Sequence, residues 1–392
     1  MKKIVFFTGN RAEFGILNPL IFSLYENYNI SIVISGAHTN TETNSKNEIY
    51  ETLLDYSDIE TYELLYSSED FYRDNFKQNF EKGYNLLNEL RPDLTVVLGD
   101  RVETYAFANA SFFNKIPICH LFGGDIGNAP YFDTNIRHAI SKIANLHFAS
   151  NKQSYENLLR MGEEAWRCFN MGNISLDNYT LGNVSSKEDI LNKYSLKDQK
   201  TVLFTYHPSQ FKTTSENYKN FFLVYNQIKK VAPQIVITFP NNDQGHEEIT
   251  SFLEEHPSKI DNICVVKNLG IRDYLGILKE LNCIVIGNSS SGLYETAFTG
   301  TPSINVGDRQ TDRPRACNVF DISIDEIETQ LENTLKNILN NYIKIKKNNR
   351  KDYDFFGVGN SVKIVLDGIE LFFKKEKKEQ IFKKFIIHNK FE

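Results

Sequence analysis

Four stretches of the chain gather the residue types that hold anions or move protons. The first is Thr8-Gly9-Asn10-Arg11-Ala12-Glu13-Phe14-Gly15, which follows an apolar run. Glycine lets the backbone approach closely, Arg11 can pair with a phosphate, and a helix start offers N–H groups. An ordinary strand-to-helix turn fits the same residues, because the spacing matches neither a dinucleotide fingerprint nor a P-loop. The second is Gly287-Asn288-Ser289-Ser290-Ser291-Gly292-Leu293-Tyr294-Glu295. The hydroxyls of Ser289, Ser290 and Ser291, Gly292 and the helix N–H groups make an anion cradle, and Glu295 can accept from ribose hydroxyls. Ser289 as a simple N-cap is the plainer alternative. The third is Gly307-Asp308-Arg309-Gln310-Thr311-Asp312-Arg313-Pro314-Arg315. Arg309, Arg313 and Arg315 suit a diphosphate beside the serine loop, and structural ion pairs are the competing reading.

The fourth is acidic: Gly99-Asp100-Arg101, Gly123-Gly124-Asp125 and Phe132-Asp133-Thr134-Asn135-Ile136-Arg137-His138. Carboxylates grouped near one cleft can transfer protons if burial and neighbours tune them. Asp100 and Asp125 could equally cap the ends of a sheet. His38, His120 and His138 are further candidates with a structural role as the default; His207, in Tyr206-His207-Pro208, is favoured for function. Neither HExxH nor clustered Cys/His spacing occurs, so no metal is expected, and there is no GxSxG elbow.

These residues sit where a doubly wound α/β fold would place a site. Continuous apolar runs at 4–7, 31–36, 94–98, 116–121 and 146–149 read as strands covered on both faces, with helical stretches such as 76–90 and 102–114 between them. The rhythm restarts with runs at 201–205, 235–239, 263–266, 283–286 and 302–306, and helices near 215–231, 245–255, 271–280 and 291–299. The expected organisation is a Rossmann-like domain over 1–172, a linker over 173–199, a second Rossmann-like domain over 200–352 and a helical tail over 353–392 packing back across the domains. Ligands of such sheets bind outside the carboxyl ends of the strands, which two domains would turn toward a shared cleft. The tail carries Lys344, Lys346, Lys347, Arg350 and Lys351, then Lys374, Lys375, Lys377, Lys378, Lys383 and Lys384. A solvated face is the default for such runs, contact with an anionic membrane surface the minor alternative.

Composition narrows the classes. A net charge of -6 argues against broad binding to nucleic acid. No apolar run approaches a membrane span, and Arg11 and Glu13 interrupt the short apolar start, so neither secretion nor stable membrane insertion is expected. Five cysteines without a CxxC argue for reduced thiols and a cytoplasmic protein.

Over roughly residues 1–370 the chain resembles the hydrolysing UDP-N-acetylglucosamine 2-epimerases. The likeness rests on Gly9–Gly15, Leu98–Arg101, Gly123–Asp125, Ile136–Lys142, His207-Pro208, Phe239-Pro240-Asn241, Gly287–Gly292 and Gly307–Gln310. It implies two Rossmann-like domains of the glycosyltransferase-B type with the active site in the cleft between them. It also implies N-acetylmannosamine, or a related 2-acetamido sugar, and UDP as products, no cofactor, and a homodimer or homotetramer. Such sugars feed sialic or legionaminic acid synthesis for surface glycans. By this match Asp100 and Asp133 transfer protons, and His207 lies near the sugar or phosphates. Glu13, His38, Arg101, Arg137, His138 and Asn241 fall at substrate-binding positions, and Arg11, Arg309, Arg313 and the serine loop stabilise the leaving UDP.

Two positions depart from the family pattern. Many members carry an acidic residue where this chain has Phe122, and often a second carboxylate where it has Thr134. Asp125 is the nearest replacement, and Tyr131 and Phe132 could line an apolar pocket for an acetamido or deoxy substituent. Besides UDP-N-acetylglucosamine, UDP-N,N'-diacetylbacillosamine is then a possible substrate. A glycosyltransferase of the same architecture and a catalytically silent UDP-sugar binder are the other functions to weigh.

Overall fold

The computed structural model describes residues 1–39, 45–64, 71–126, 131–209, 212–240, 245–255, 259–260, 262–352 and 354–384. The chain forms two compact units. The first takes Met1–Ile126, Tyr131–Asp177 and the segment from Gly359 onward; the second takes Asn178–Val358.

The first unit is built on seven parallel strands: β1 (Lys3–Thr8), β2 (Asn29–Ile34), β3 (Glu60–Glu63), β4 (Leu94–Leu98), β5 (Ile118–Leu121), β6 (Leu146–Ala149) and β7 (Cys168–Asn170). Their order is β3-β2-β1-β4-β5-β6-β7. Strand geometry turns alternate side chains to opposite faces, and both faces are buried here. Ile4 and Phe6 enter one core with Leu17, Leu20 and Leu24 of the helix Arg11–Tyr25. Val5 and Phe7 enter the other, with Leu87 and Phe107 from the helices Phe71–Leu90 and Val102–Phe113. Each such fully buried side chain contributes about 1.5–3 kcal/mol.

The second unit repeats the plan with β8 (Thr201–Thr205), β9 (Ile235–Thr238), β10 (Lys259–Ile260), β11 (Ile263–Val266), β12 (Cys283–Gly287), β13 (Ser303–Val306) and β14 (Val319–Ile322). The order is β10-β11-β9-β8-β12-β13-β14, parallel except for β10 against β11. Val202 and Phe204 face one core, Leu203 the other. In both sheets the order reverses beside the first strand, between β1 and β4 and between β8 and β12. At such switch points adjacent loops diverge and leave room for a ligand.

The ten strands expected from apolar runs are all present, and the four additional ones among the described residues, β3, β7, β10 and β14, are edge strands.

After the second unit the chain returns to the first. The helix Ser361–Lys374 places Val362, Val365, Ile369 and Phe372 in the core around Ile4 and Phe6. Arg167, 1 % exposed, then pins the following turn: Nη1 donates to the Asn145 carbonyl at 3.0 Å, while Nη2 donates to the carbonyls of Phe382 at 2.8 Å and of Glu379. Lys383 reaches buried Glu163 at 2.7 Å. That lysine is therefore internal, whereas Lys363 and Lys374 pair on the surface with Asp367 and Glu370. Among the described residues no helix is long and apolar enough to cross a membrane, and no group of His, Cys, Asp and Glu could hold a metal ion. The five cysteines are unbonded thiols, with Cys317 exposed.

Candidate active site

In the first unit the strand register brings the loops together. Phe6 lies opposite Val96, and Leu98 opposite Leu121, so the chain leaves β1, β4 and β5 side by side. After β1, Asn10 caps the helix Arg11–Tyr25, its side chain accepting from Glu13 N at 3.0 Å. The Glu13 carboxylate folds back to accept from Gly9 N at 2.7 Å and Asn10 Nδ2 at 2.9 Å. Burial lifts Glu13 to about 7, opposed by the Arg101 guanidinium and reinforced by the Glu103 carboxylate. Beneath the turn, His38 Nε2 meets the Thr8 hydroxyl at 3.0 Å. Burial holds His38 near 4, so it is a neutral imidazole at physiological pH. Gly36, at φ +61, lies so close to the Gly9 carbonyl that a Cβ there would overlap it.

After β4 and β5 the carboxylates converge on one guanidinium. Arg137, from the helix Tyr131–Ile143, binds Asp100 through Nη2 and Asp125 through Nη1, the latter at 2.8 Å. Asp125 also accepts from Ile126 N at 3.1 Å. Asp133, half-buried in the first turn of that helix, stands four residues before Arg137 and so on the same face. Asp100 and Asp125 are thus joined by a bridging arginine, not merely capping strand ends. His138 is half-buried, its pKa lowered by burial and by Arg137. His120 is structural: Nε2 donates to the Gly99 carbonyl at 2.8 Å, Nδ1 meets the Ser141 hydroxyl at 3.0 Å, and burial drops it to about 3. Phe122 has φ +63, a left-handed backbone that costs a bulky residue about 1–3 kcal/mol. Its ring packs against the core around Ile4 and Phe6.

The second unit presents different chemistry at the equivalent place. Gly287 ends β12 between Thr205 of β8 and Asn305 of β13, so three loops again emerge together. At φ +139, a Cβ on Gly287 would overlap the Thr205 carbonyl, and only glycine fits. Asn288 then ties two loops: its Oδ1 accepts from His207 N at 2.7 Å and its Nδ2 donates to the His207 carbonyl at 2.8 Å. Arg309 Nη1 and Gln310 Nε2 donate to the Asn288 carbonyl at 3.2 and 2.8 Å, and Arg313 Nη1 donates to Gln310 Oε1 at 2.7 Å. Arg315 bears out the ion-pair reading, with Asp321 at 3.0 Å. The serine loop starts the helix Ser291–Thr299 at Ser290, which makes no side-chain capping bond. Ser289 instead shares a hydroxyl contact of 2.9 Å with Ser291. Both hydroxyls therefore sit at the positive end of a helix without serving as its cap. Glu295 is buried one turn inside, with Gly292 beside it. Burial, with Arg309 adding to it, drives His207 well below its ordinary range, so this ring is uncharged.

Four sequence-derived candidates fall outside this description. Arg11 opens its helix, but its side chain lies outside the described ones, as do those of Tyr131 and Phe132; Asn241 lies outside the described residues altogether. Two residues absent from the sequence-based set are integral to it. Glu103, 1 % exposed, binds Arg101 Nε at 2.6 Å and Asn75 Nδ2 at 3.3 Å. Its signal was a carboxylate two places after Arg101, inside a helix that reads as apolar. Gln310 joins the arginine loop to Asn288, and nothing but its place in that loop marked it.

Residues 24–370 match the family described as UDP-N-acetylglucosamine 2-epimerase. A hydrolysing GDP/UDP-N,N'-diacetylbacillosamine 2-epimerase of Campylobacter jejuni subsp. jejuni serotype O:2 is 30% identical over 346 residues, 84% of this chain and 87% of that protein. A hydrolysing UDP-N,N'-diacetylbacillosamine 2-epimerase of Legionella pneumophila is 30% identical over 355 residues, 89% of this chain and 92% of that protein. Among solved structures, the Neisseria meningitidis UDP-GlcNAc 2-epimerase bound to UDP-GlcNAc has a TM-score of 0.76 at 20% identity, covering 95% of this chain and 100% of that one. That likeness is one of fold.

Proposed function

The chain belongs to the UDP-N-acetylglucosamine 2-epimerase family, and from that premise we propose that it is a hydrolysing 2-epimerase of UDP-2-acetamido sugars. The observation that carries this reading is the division of groups. One unit gathers carboxylates around Arg137, the other gathers hydroxyls, a helix start and arginines where an anion would bind.

The chemistry needs both. The proton on carbon 2 is removable only as the bond from carbon 1 to UDP breaks and positive charge grows on the ring. Ser289, Ser291, Arg309 and Arg313, with Arg11, would stabilise the departing UDP. Asp100 or Asp133 would take the proton, leaving a 2-acetamidoglycal. Water then adds across the double bond, hydroxyl to carbon 1 and a proton to carbon 2 on the opposite face. Sugar nucleotide and water become the 2-epimer and UDP. Delivery to the second face requires another acid/base group, for which Asp125 and Asp133 are the candidates. Neutral His207 would orient substrate by hydrogen bonding, not by charge. No cofactor enters these steps.

UDP-N,N'-diacetylbacillosamine is favoured as a second substrate by the two relatives at 30% identity. Proton NMR in deuterium oxide, offering each sugar nucleotide without an acceptor, tests both readings. A free manno-configured sugar deuterated at carbon 2 is expected, and the faster reaction names the substrate. UDP binding without release of either sugar would leave a transferase or a silent binder instead.

A further inference from the structure

We propose that Glu103 is a positioning residue that fixes Arg101 as an anion-binding group of the first unit. The inference rests on the epimerase reading, in which Arg101 meets the substrate.

Glu103 stands in the first turn of the helix Val102–Phe113, under the turn that follows β1. Its Oε1 accepts from Arg101 Nε at 2.6 Å and its Oε2 from Asn75 Nδ2 at 3.3 Å. Gly9 closes over it from the other side: a Cβ on Gly9 would come within 2.8 Å of Oε1. The carboxylate therefore cannot swing away without moving the turn. An arginine on an open surface samples many rotamers. One gripped through Nε keeps its planar fork, and so the direction of its terminal nitrogens, fixed. Arg101 is a third exposed in its side chain while Glu103 is 1 % exposed, so the pair is anchored in the interior and reaches solvent through the arginine.

Charge balance points the same way. Among the described side chains, the groups facing this turn are Glu13, Glu103, Arg101 and the neutral His38. Two buried carboxylates thus share one guanidinium. Without Arg101 held against them, this place would repel a phosphate-bearing ligand. Glu103 also helps to keep Glu13 near 7.

The test is steady-state release of UDP from UDP-N-acetylglucosamine by Glu103→Gln and Glu103→Asp, with melting temperatures recorded. Glu103→Gln is expected to raise KM about tenfold, worth about 1.4 kcal/mol, with kcat held within about twofold. Glu103→Asp, which keeps the charge, is expected to restore part of the KM. A fall in kcat with unchanged KM and equal loss of melting temperature in both variants would overturn the proposal. If the unaltered chain binds UDP but releases no sugar, the epimerase reading itself fails. Glu103 is then judged by calorimetry with UDP-N-acetylglucosamine, where equal affinity of Glu103→Gln and the unaltered chain would overturn it.

Discussion

The two sheets share one strand order and one kind of switch point, yet the loops above them are chemically opposite. In the first unit Glu13, Asp100, Glu103 and Asp125 surround Arg101 and Arg137. In the second, the loops carry serine hydroxyls at a helix start, Arg309 and Arg313 donating to amide oxygens, and an uncharged histidine. Topology therefore fixes where a ligand can sit, and a handful of loop residues fix what it can be. The device that stiffens the loops is also different. Ion pairs to buried carboxylates do it in the first unit. In the second, Asn288 uses one amide and one carbonyl to tie together three loops.

The contrast is broken most severely by removing one carboxylate. Asp100→Asn is expected to lower kcat by about a thousandfold, within the range for losing a positioned acid/base group, while UDP binding by calorimetry changes less than about twofold. If UDP affinity fell with kcat, the division of labour would be wrong. Gly287→Ala strikes the scaffold of the other site. The overlap with the Thr205 carbonyl is expected to destabilise the second unit by about 3 kcal/mol. Denaturant unfolding followed by hydrogen exchange should show β8 and β12 opening early while β1 and β4 keep their protection. Arg309→Ala is expected to weaken UDP binding about ten- to thirtyfold, or about 1.4–2 kcal/mol, and to leave the acid limb of the rate profile in place.

The smallest effect sharpens the contrast through pH. Buried Glu13 keeps its proton up to about 7, whereas in the unfolded chain it loses it near 4.5. Between those values the native state binds more protons, so its stability falls as pH rises. The contribution is whole below 4.5 and gone above 7. Glu13→Gln removes it, so the stability of the variant relative to the parent should improve by about 1 kcal/mol from pH 6 to 7. Urea midpoints at the two pH values measure this, and a constant difference would show that Glu13 does not titrate there.

The sequence was most legible where burial is two-sided. Leu94–Leu98 and Cys283–Ile286 are covered on both faces and read as unbroken apolar runs. The edge strands escaped because edges are short or half-wet. Glu60–Glu63 is Glu-Thr-Tyr-Glu with no buried residue, and Cys168–Asn170 spans three residues. Site residues in loops after strands were found by type, as with Asp100, Asp125, His207 and the serine loop. Their partnerships were not, because Arg137 reaches Asp100 across 37 residues of sequence. Glu103 escaped for a related reason: a carboxylate near a helix start reads as ordinary dipole compensation.

The return of the chain to the first unit has a consequence for the order of events during synthesis. Residues 178–358 are complete, with their own sheet, before Val362, Val365, Ile369 and Phe372 have been made. The second unit can close as soon as it clears the ribosome; the first must wait with one core open and the Arg167 guanidinium lacking the carbonyls of Glu379 and Phe382. The carboxylate cluster thus stands on a unit that is begun first and finished last, and a chain cut short before Gly359 would carry the serine loop on a finished unit and the carboxylates on an unfinished one.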